Sequence, residues 1–144
     1  MRDQVEVLNP LPALYPVATD TGTTALVGPV INLAGYNSCT FAIVIGALAG
    51  SSAAYTVSVA EANNYAMTNS VASTLFSDAG LTDASFVLAS ADSVTKLGYL
   101  GTAQYVQLTI TPNGSNSGCF VAAVAILGNP SNAPTAAIPV LPGS

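Results

Sequence analysis

Apolar and polar residues alternate with a period of two through most of the middle of this chain. Over 38–45, Cys39, Phe41, Ile43 and Ile45 share one face, with Thr40, Ala42 and Val44 on the other. Over 53–59, Tyr55, Val57 and Val59 oppose Thr56 and Ser58. Over 104–110, Val106, Leu108 and Ile110 form the inward set, and Tyr105, Gln107 and Thr109 the outward set. The stretch 120–127 differs. Phe120, Ala122, Val124 and Ile126 fall on one face and Val121, Ala123, Ala125 and Leu127 on the other, so both faces are apolar. That is the pattern of a strand buried on both sides. Shorter candidates lie at 26–33, 71–76, 86–89 and 94–100. Period-two patterning with β-branched and aromatic residues predicts strands.

The links between these segments are turn-forming: Gly50-Ser51-Ser52, Glu61-Ala62-Asn63-Asn64, Asp78-Ala79-Gly80 and Pro112-Asn113-Gly114-Ser115-Asn116. The stretch 64–91 reads either as a long loop or as holding a short helix around 83–88. No long segment carries a helical period, and no repeat of solenoid length is present. Seven or eight short strands with such turns predict an all-β fold, a single β-sandwich or jelly-roll-like domain over 20–128.

Proline sets both ends apart. Pro10, Pro12 and Pro16 are interleaved with Leu8, Leu11, Leu14 and Val17 in the region 1–19. Proline at this density disfavours a helix and a central strand alike, yet the segment is too apolar for a solvated tail. It reads either as an extended arm lying on another surface or as a strand-like lead-in packed on its own domain. The region 129–144 mirrors it, with Pro130, Pro134, Pro139 and Pro142 around Ile138, Val140 and Leu141. It reads as an extended C-terminal tail.

Composition narrows the function. The 144 residues hold 7 acids, 2 bases and no His, for a net charge of −5. Only 6% are charged, against about 25% in an average domain. Arg2 and Lys96 cannot neutralise a row of phosphates, so nucleic acid is excluded as a partner. No His and two Cys leave a zinc site almost without ligands, and no metal or cofactor is expected. The first residues lack the basic-then-apolar run of a secretory signal, so none is expected. The uncharged window 41–59 contains Gly46 and Gly50 but breaks at Gly50-Ser51-Ser52, too early for a membrane helix. No membrane partner is expected. Cys39 and Cys119 read as small buried hydrophobes rather than a disulfide. A surface of Ser, Thr, Asn, Ala and Gly loses little side-chain entropy when covered and carries little charge to keep copies apart. It suits a component of an assembly.

Catalytic groups are scarce. Asp3, Glu6, Asp20, Asp78, Asp83 and Asp92 fall in arms or turns, where solvated carboxylates are the default. Glu61 follows a strand and could meet Asp78 or Asp83, but a two-carboxylate glycosidase site has little else behind it. A nucleophilic Ser or Thr has no His for a base, and Lys96 lies outside any known Ser–Lys motif. No enzyme activity is expected.

Three stretches stand out together. They are Gly35-Tyr36-Asn37-Ser38-Cys39-Thr40-Phe41; Lys96-Leu97-Gly98-Tyr99-Leu100-Gly101 followed by Gln104-Tyr105-Val106-Gln107-Leu108; and Ala122 to Pro130, running on to Pro134. In this order they resemble a family of tailed-bacteriophage head decoration, or cement, proteins, over about 20–134. The chain departs from the family in having Gln104 and Gln107 where Arg is frequent, and Ala, Asn and Ser where acids are frequent. The resemblance implies a structural virion protein on the outer surface of the capsid, made in the host cytoplasm. It implies the major capsid protein as partner and a homo-oligomer, a trimer before a dimer. Gly35, Tyr36, Gly98, Tyr99 and Gly101 are its structural motif residues. The glycines are expected to allow backbone conformations or close approaches that a side chain would block. Contacts to capsid or neighbours are expected from Leu8, Leu11, Leu14, Tyr15, Val17, Tyr105, Ile138, Val140 and Leu141. The alternative is a surface-displayed glycan- or receptor-binding module, with Tyr55, Tyr65 and Tyr99 as an exposed aromatic patch.

Overall fold

The computed structural model describes residues 4–5, 7–18, 24–50, 52–114 and 119–131. Among them are eleven strands and no helix: β1 (Asn9–Ala18), β2 (Leu26–Asn32), β3 (Tyr36–Ile45), β4 (Ala54–Ala62), β5 (Val71–Ala72), β6 (Leu75–Ser77), β7 (Thr82–Asp83), β8 (Ser85–Leu88), β9 (Ser93–Tyr99), β10 (Tyr105–Asn113) and β11 (Phe120–Pro130). They form two antiparallel sheets. The first runs β1-β11-β3-β9-β6-β7. The second runs β2-β10-β4-β5, with β8 also paired to β4. The β-sandwich expected from the alternation is the fold observed.

The inward residues of each strand make one core. Phe41, Ile43, Ile45, Leu97, Val121 and Leu127 of the first sheet join a single cluster with Tyr55, Val57, Val59, Val106, Leu108 and Ile110 of the second. Burying each such side chain contributes about 1.5–3 kcal/mol, so this layer dominates the stability. No disulfide reinforces it. Cys39 and Cys119 are both buried and are not joined to one another. The Sγ of Cys119 accepts a hydrogen bond from the Ala49 N–H at 3.1 Å.

The N-terminal region divides. Residues 9–18 are not an arm on another surface. They are β1, the edge strand of the first sheet, paired along β11 from Asn9↔Leu127 to Ala18↔Phe120. An edge strand hydrogen-bonds on one side only, so it tolerates Pro10, Pro12 and Pro16, which a central strand would not. Register shifts between Pro12 and Leu14 and between Leu14 and Val17 turn both Ala13 and Leu14 into the core. At the other end, β11 runs two residues past the expected boundary at 128, through Asn129 and Pro130. Residues 132–144, with Ile138, Val140 and Leu141, lie outside the described residues.

The stretch 64–91 also resolves into strands. Ser85–Leu88 is β8 rather than a short helix, because β4 offers it an unpaired edge: Leu88 lies opposite Tyr55 and Ser85 opposite Ser58. Phe86 and Leu88 pack on the core while Val87 faces out, a period of two.

The long side of the sandwich where β1 and β2 converge closes on Gly28. A Cβ there would fall on the carbonyl of Ala13, and the strand shifts register beside it. The Gln107 Nε2 donates to the Gly28 carbonyl at 2.8 Å, holding the approach. Gly28→Ala meets backbone that cannot rotate away, and should lower stability by about 3 kcal/mol in chemical denaturation. Ser73 is the opposite case. It is buried, and its Oγ has no hydrogen-bond partner. Ser73→Ala removes an unpaired polar group, and should raise stability by about 1 kcal/mol, a Tm gain of about 3 °C by calorimetry.

Candidate functional site

Two regions outside the core carry features that the fold does not require. The first is the outer face of the β1-β11-β3-β9 sheet. Its register stacks Ala122, Val44 and Val94 in one row across β11, β3 and β9, and Val124, Ala42 and Lys96 in the next. Phe120 is 61% exposed, Val94 65% and Tyr15 of β1 63%. Val44, Val124 and Phe76 are also exposed. The charge on this face is Lys96, paired to Asp78 at 3.1 Å with both side chains in solvent, a pair that contributes little.

The centre of the opposite sheet has an ordinary polar face. Outward positions on β10 and β4 carry Gln107, Thr109 and Thr111 and Thr56 and Ser58, matched as Thr109↔Ser58 and Thr111↔Thr56. An antiparallel sheet normally turns one face to the core and a polar face to water. On its central strands β10 and β4 the second sheet obeys this, with exposed Val27, Val71 and Val87 confined to the flanking strands β2, β5 and β8. The first sheet instead carries exposed apolar residues on its central strands β11 and β3. The two apolar faces of 120–127 therefore have different fates. Val121, Ala123, Ala125 and Leu127 are in the core, and Phe120 and Val124 are in solvent.

The second region is one end of the sandwich, where the three motif stretches meet. The Asn37 Nδ2 donates to the Asn129 carbonyl at 3.1 Å, and the Ser131 N–H to the Gly35 carbonyl at 2.8 Å. The Leu33 N–H donates to the Gln104 carbonyl at 2.8 Å. Between the β2–β3 turn and the β9–β10 loop lies an open cleft of about 450 Å³, with Tyr36, Asn37, Asn63, Tyr99 and Gln104 among its walls. A smaller hollow of about 180 Å³ adjoins it across Asn63, Thr102 and Ala103, with Glu61 in its lining.

Tyr99 organises the floor. Its hydroxyl donates to the Glu61 Oε2 and accepts from the Ala103 N–H at 3.0 Å. Burial and the bond to Glu61 hold this phenol above the usual tyrosine range. Gly101 lies directly over the pair, and a Cβ there would overlap both the Glu61 Oε2 and the Tyr99 hydroxyl. Burial pushes the nearby Cys39 thiol up to about 12, which keeps it protonated.

The expected site residues scatter. Gly35, Tyr36, Tyr99 and Gly101 gather at the cleft. Gly35 (φ +87°) needs glycine for its backbone and Gly101 for its space, but Gly98 needs neither: a Cβ there would make ordinary contact with Phe76. Tyr105 sits at the same end, its ring edge-on to Tyr65 with centroids 6.0 Å apart. Leu14 is 7% exposed and belongs to the core, because the bulged strand turns it inward. Leu11 and Val17 pack partly on that core. Leu8 lies over Gly128, and only Tyr15 of the β1 residues named stands fully on the outer face. Tyr55 is fully buried and cannot serve in an exposed aromatic patch. Sequence reasoning missed Phe120, Val44, Val94 and Val124 as surface residues. Their signal was present in the double apolar pattern, but a strand covered on both sides and a strand awaiting cover share it.

Among the described residues no group of three metal-ligating side chains occurs, and no helix is long and apolar enough to cross a membrane. No family model, curated protein or solved structure matches the chain.

The Tyr99–Glu61 pair is testable by pH. Above the ordinary tyrosine value of 10.0 the unfolded chain ionises Tyr99 while the folded chain resists. The stability it contributes is complete below that pH and is lost as pH rises beyond it. Tyr99→Phe should lower stability near neutrality by about 1 kcal/mol and flatten the alkaline fall in Tm. Gly101→Ala should reproduce the neutral-pH loss by displacing the same pair.

Proposed function

We propose that this protein is a capsid decoration protein of a tailed bacteriophage, a homotrimer that binds the major capsid protein on the outer surface of the head. The observation that carries the reading is the asymmetry between the two sheets. The central strands of one present Thr, Ser and Gln to water, with Val27, Val71 and Val87 only on its flanking strands. The other presents Phe120, Val124 and Val44 on its central strands, with Val94 and Tyr15 beside them. Covering that apolar face removes the anomaly. It also accounts for a chain with so few charges, since a surface made to be covered gains nothing from them.

The resemblance of the three motif stretches to cement proteins supports the same assignment. The work is mechanical. Packed DNA pushes a head outward, and a clamp across subunit boundaries adds binding free energy that rupture must overcome. An oligomer that touches several shell subunits gains avidity from modest single contacts, and closed symmetric oligomers are the usual form. A trimer fits local threefold positions of the shell. No catalysis enters this role.

Within it, the contact residues shift from those expected on the N-terminal segment. Tyr15 remains, Leu14 is withdrawn into the core, and the outward residues of β11, β3 and β9 take over. These side chains face solvent in the isolated chain, so charged replacements there leave the core intact.

Capsids stripped of the protein, mixed with it and sedimented, should bind a saturating, stoichiometric number of copies equal to the local threefold positions. Val124→Glu and Val94→Glu should abolish co-sedimentation while keeping the Tm near wild type. Thr109→Glu, on the polar face, should bind normally. Folded protein that ignores intact capsids, or equal binding by all three variants, would sink the reading.

A further inference from the structure

The cleft at the motif end has no use in the capsid reading. We infer that it binds an uncharged saccharide. Four observations lead there.

The first is its form. A cleft of about 450 Å³ falls within the ordinary range for small-molecule sites, about 300–1,000 Å³. The second is its chemistry. Among the described residues no charged side chain lines it. Glu61, in the lining of the adjoining hollow, is engaged by the Tyr99 hydroxyl. A neutral lining neither attracts nor compensates a charged ligand, and a buried unpaired ligand charge would be unfavourable.

The third is the arrangement of its amides. Each is oriented by an internal bond that leaves its other end for a ligand. Asn37 spends its Nδ2 on the Asn129 carbonyl, which leaves Oδ1 as an acceptor. Asn63 accepts the Gln104 N–H on Oδ1 at 3.3 Å, which leaves Nδ2 as a donor. Gln104 donates Nε2 to the Asn32 Oδ1 and to the Tyr105 hydroxyl, each at 3.2 Å, which leaves Oε1. The Asn32 oxygen is itself fixed by the Ala34 N–H at 2.9 Å, so the direction of the Gln104 amide is set. Two acceptors and one donor, held in place before any ligand arrives, match a ring of vicinal hydroxyls that both donate and accept. Fixing them in advance lowers the ordering entropy of binding.

The fourth is apolar surface beside the amides. Tyr36 and Leu33, each packed partly on the core, line the same cleft and would supply apolar surface to the C–H face of a pyranose. The Tyr99–Glu61–Gly101 floor then has a purpose beyond stability. It holds the β9–β10 loop, and so Gln104, at a fixed distance from Asn37.

This inference stands independently of the capsid reading, since it concerns a different surface and a different partner. The test is a titration of the full-length, 15N-labelled protein with glucose, galactose, N-acetylglucosamine and maltose. Each is taken to about 50 mM, well above the ~1 mM Kd of a shallow site. At least one sugar should move amide signals confined to 35–38, 63 and 102–104. Glucuronate should bind more weakly than glucose. Asn37→Ala and Gln104→Ala should each weaken binding by about tenfold while leaving the Tm close to wild type. Absence of shifts with all four sugars would overturn the inference. So would shifts that map to the outer face of the first sheet, or binding that survives both substitutions.

Discussion

Stability in this molecule rests on the contact between the inner faces of two sheets. Phe41, Ile43 and Ile45 press against the layer of Val57, Val59, Leu108 and Ile110, with no disulfide to hold them and an ion pair that lies in solvent. Everything else is arranged around that contact. Gly28 exists because β1 and β2 must meet to close one side of it. The register shifts of β1 exist because a proline-rich strand must still deliver Ala13 and Leu14 to it. The turns at the motif end cap it, and the Tyr99–Glu61 pair fastens one of those turns across to β4.

The alternation of residues made the central strands legible. β3, β4 and β10 carry it over long runs, and each inward residue expected there is buried. β11 was expected to be covered on both faces, and only the face of Val121, Ala123, Ala125 and Leu127 is. The short strands were harder to read because their pairing comes from a neighbour's free edge and not from their own pattern. β8 is the clear example: Ser85–Leu88 is a strand because β4 is beside it. β1 was ambiguous for a related reason. Three prolines argue against a strand until the strand is known to be an edge, and edge status is a property of the sheet. The cleft was half visible. Gly35, Tyr36, Tyr99 and Gly101 stood out along the chain, but Asn37, Asn63 and Gln104 are common surface residues. Only the three-dimensional arrangement of their hydrogen bonds distinguishes them.

The two surfaces differ in shape and in place on the fold. The apolar outer face spans the broad side of the first sheet and suits a broad, flat partner. The cleft lies at one end, where loops from both sheets meet, and suits a small one. A protein fixed to a shell by its broad side keeps its ends available, so occupation of one surface does not preclude the other. The prolines of β1 contribute to this division. They remove N–H groups from the exposed edge, so a neighbouring strand cannot extend the sheet there, and docking is left to faces and ends.

The near absence of charge on the outer face of the first sheet also sets how any contact made by it responds to conditions. With so little charge on the face itself, a contact made there gains little from local charge pairing, and its strength responds only weakly to ionic strength. Apolar burial is driven by water entropy near room temperature and weakens on cooling. An assembly held by this face loosens in the cold, persists in high salt, and is tightened by sulfate.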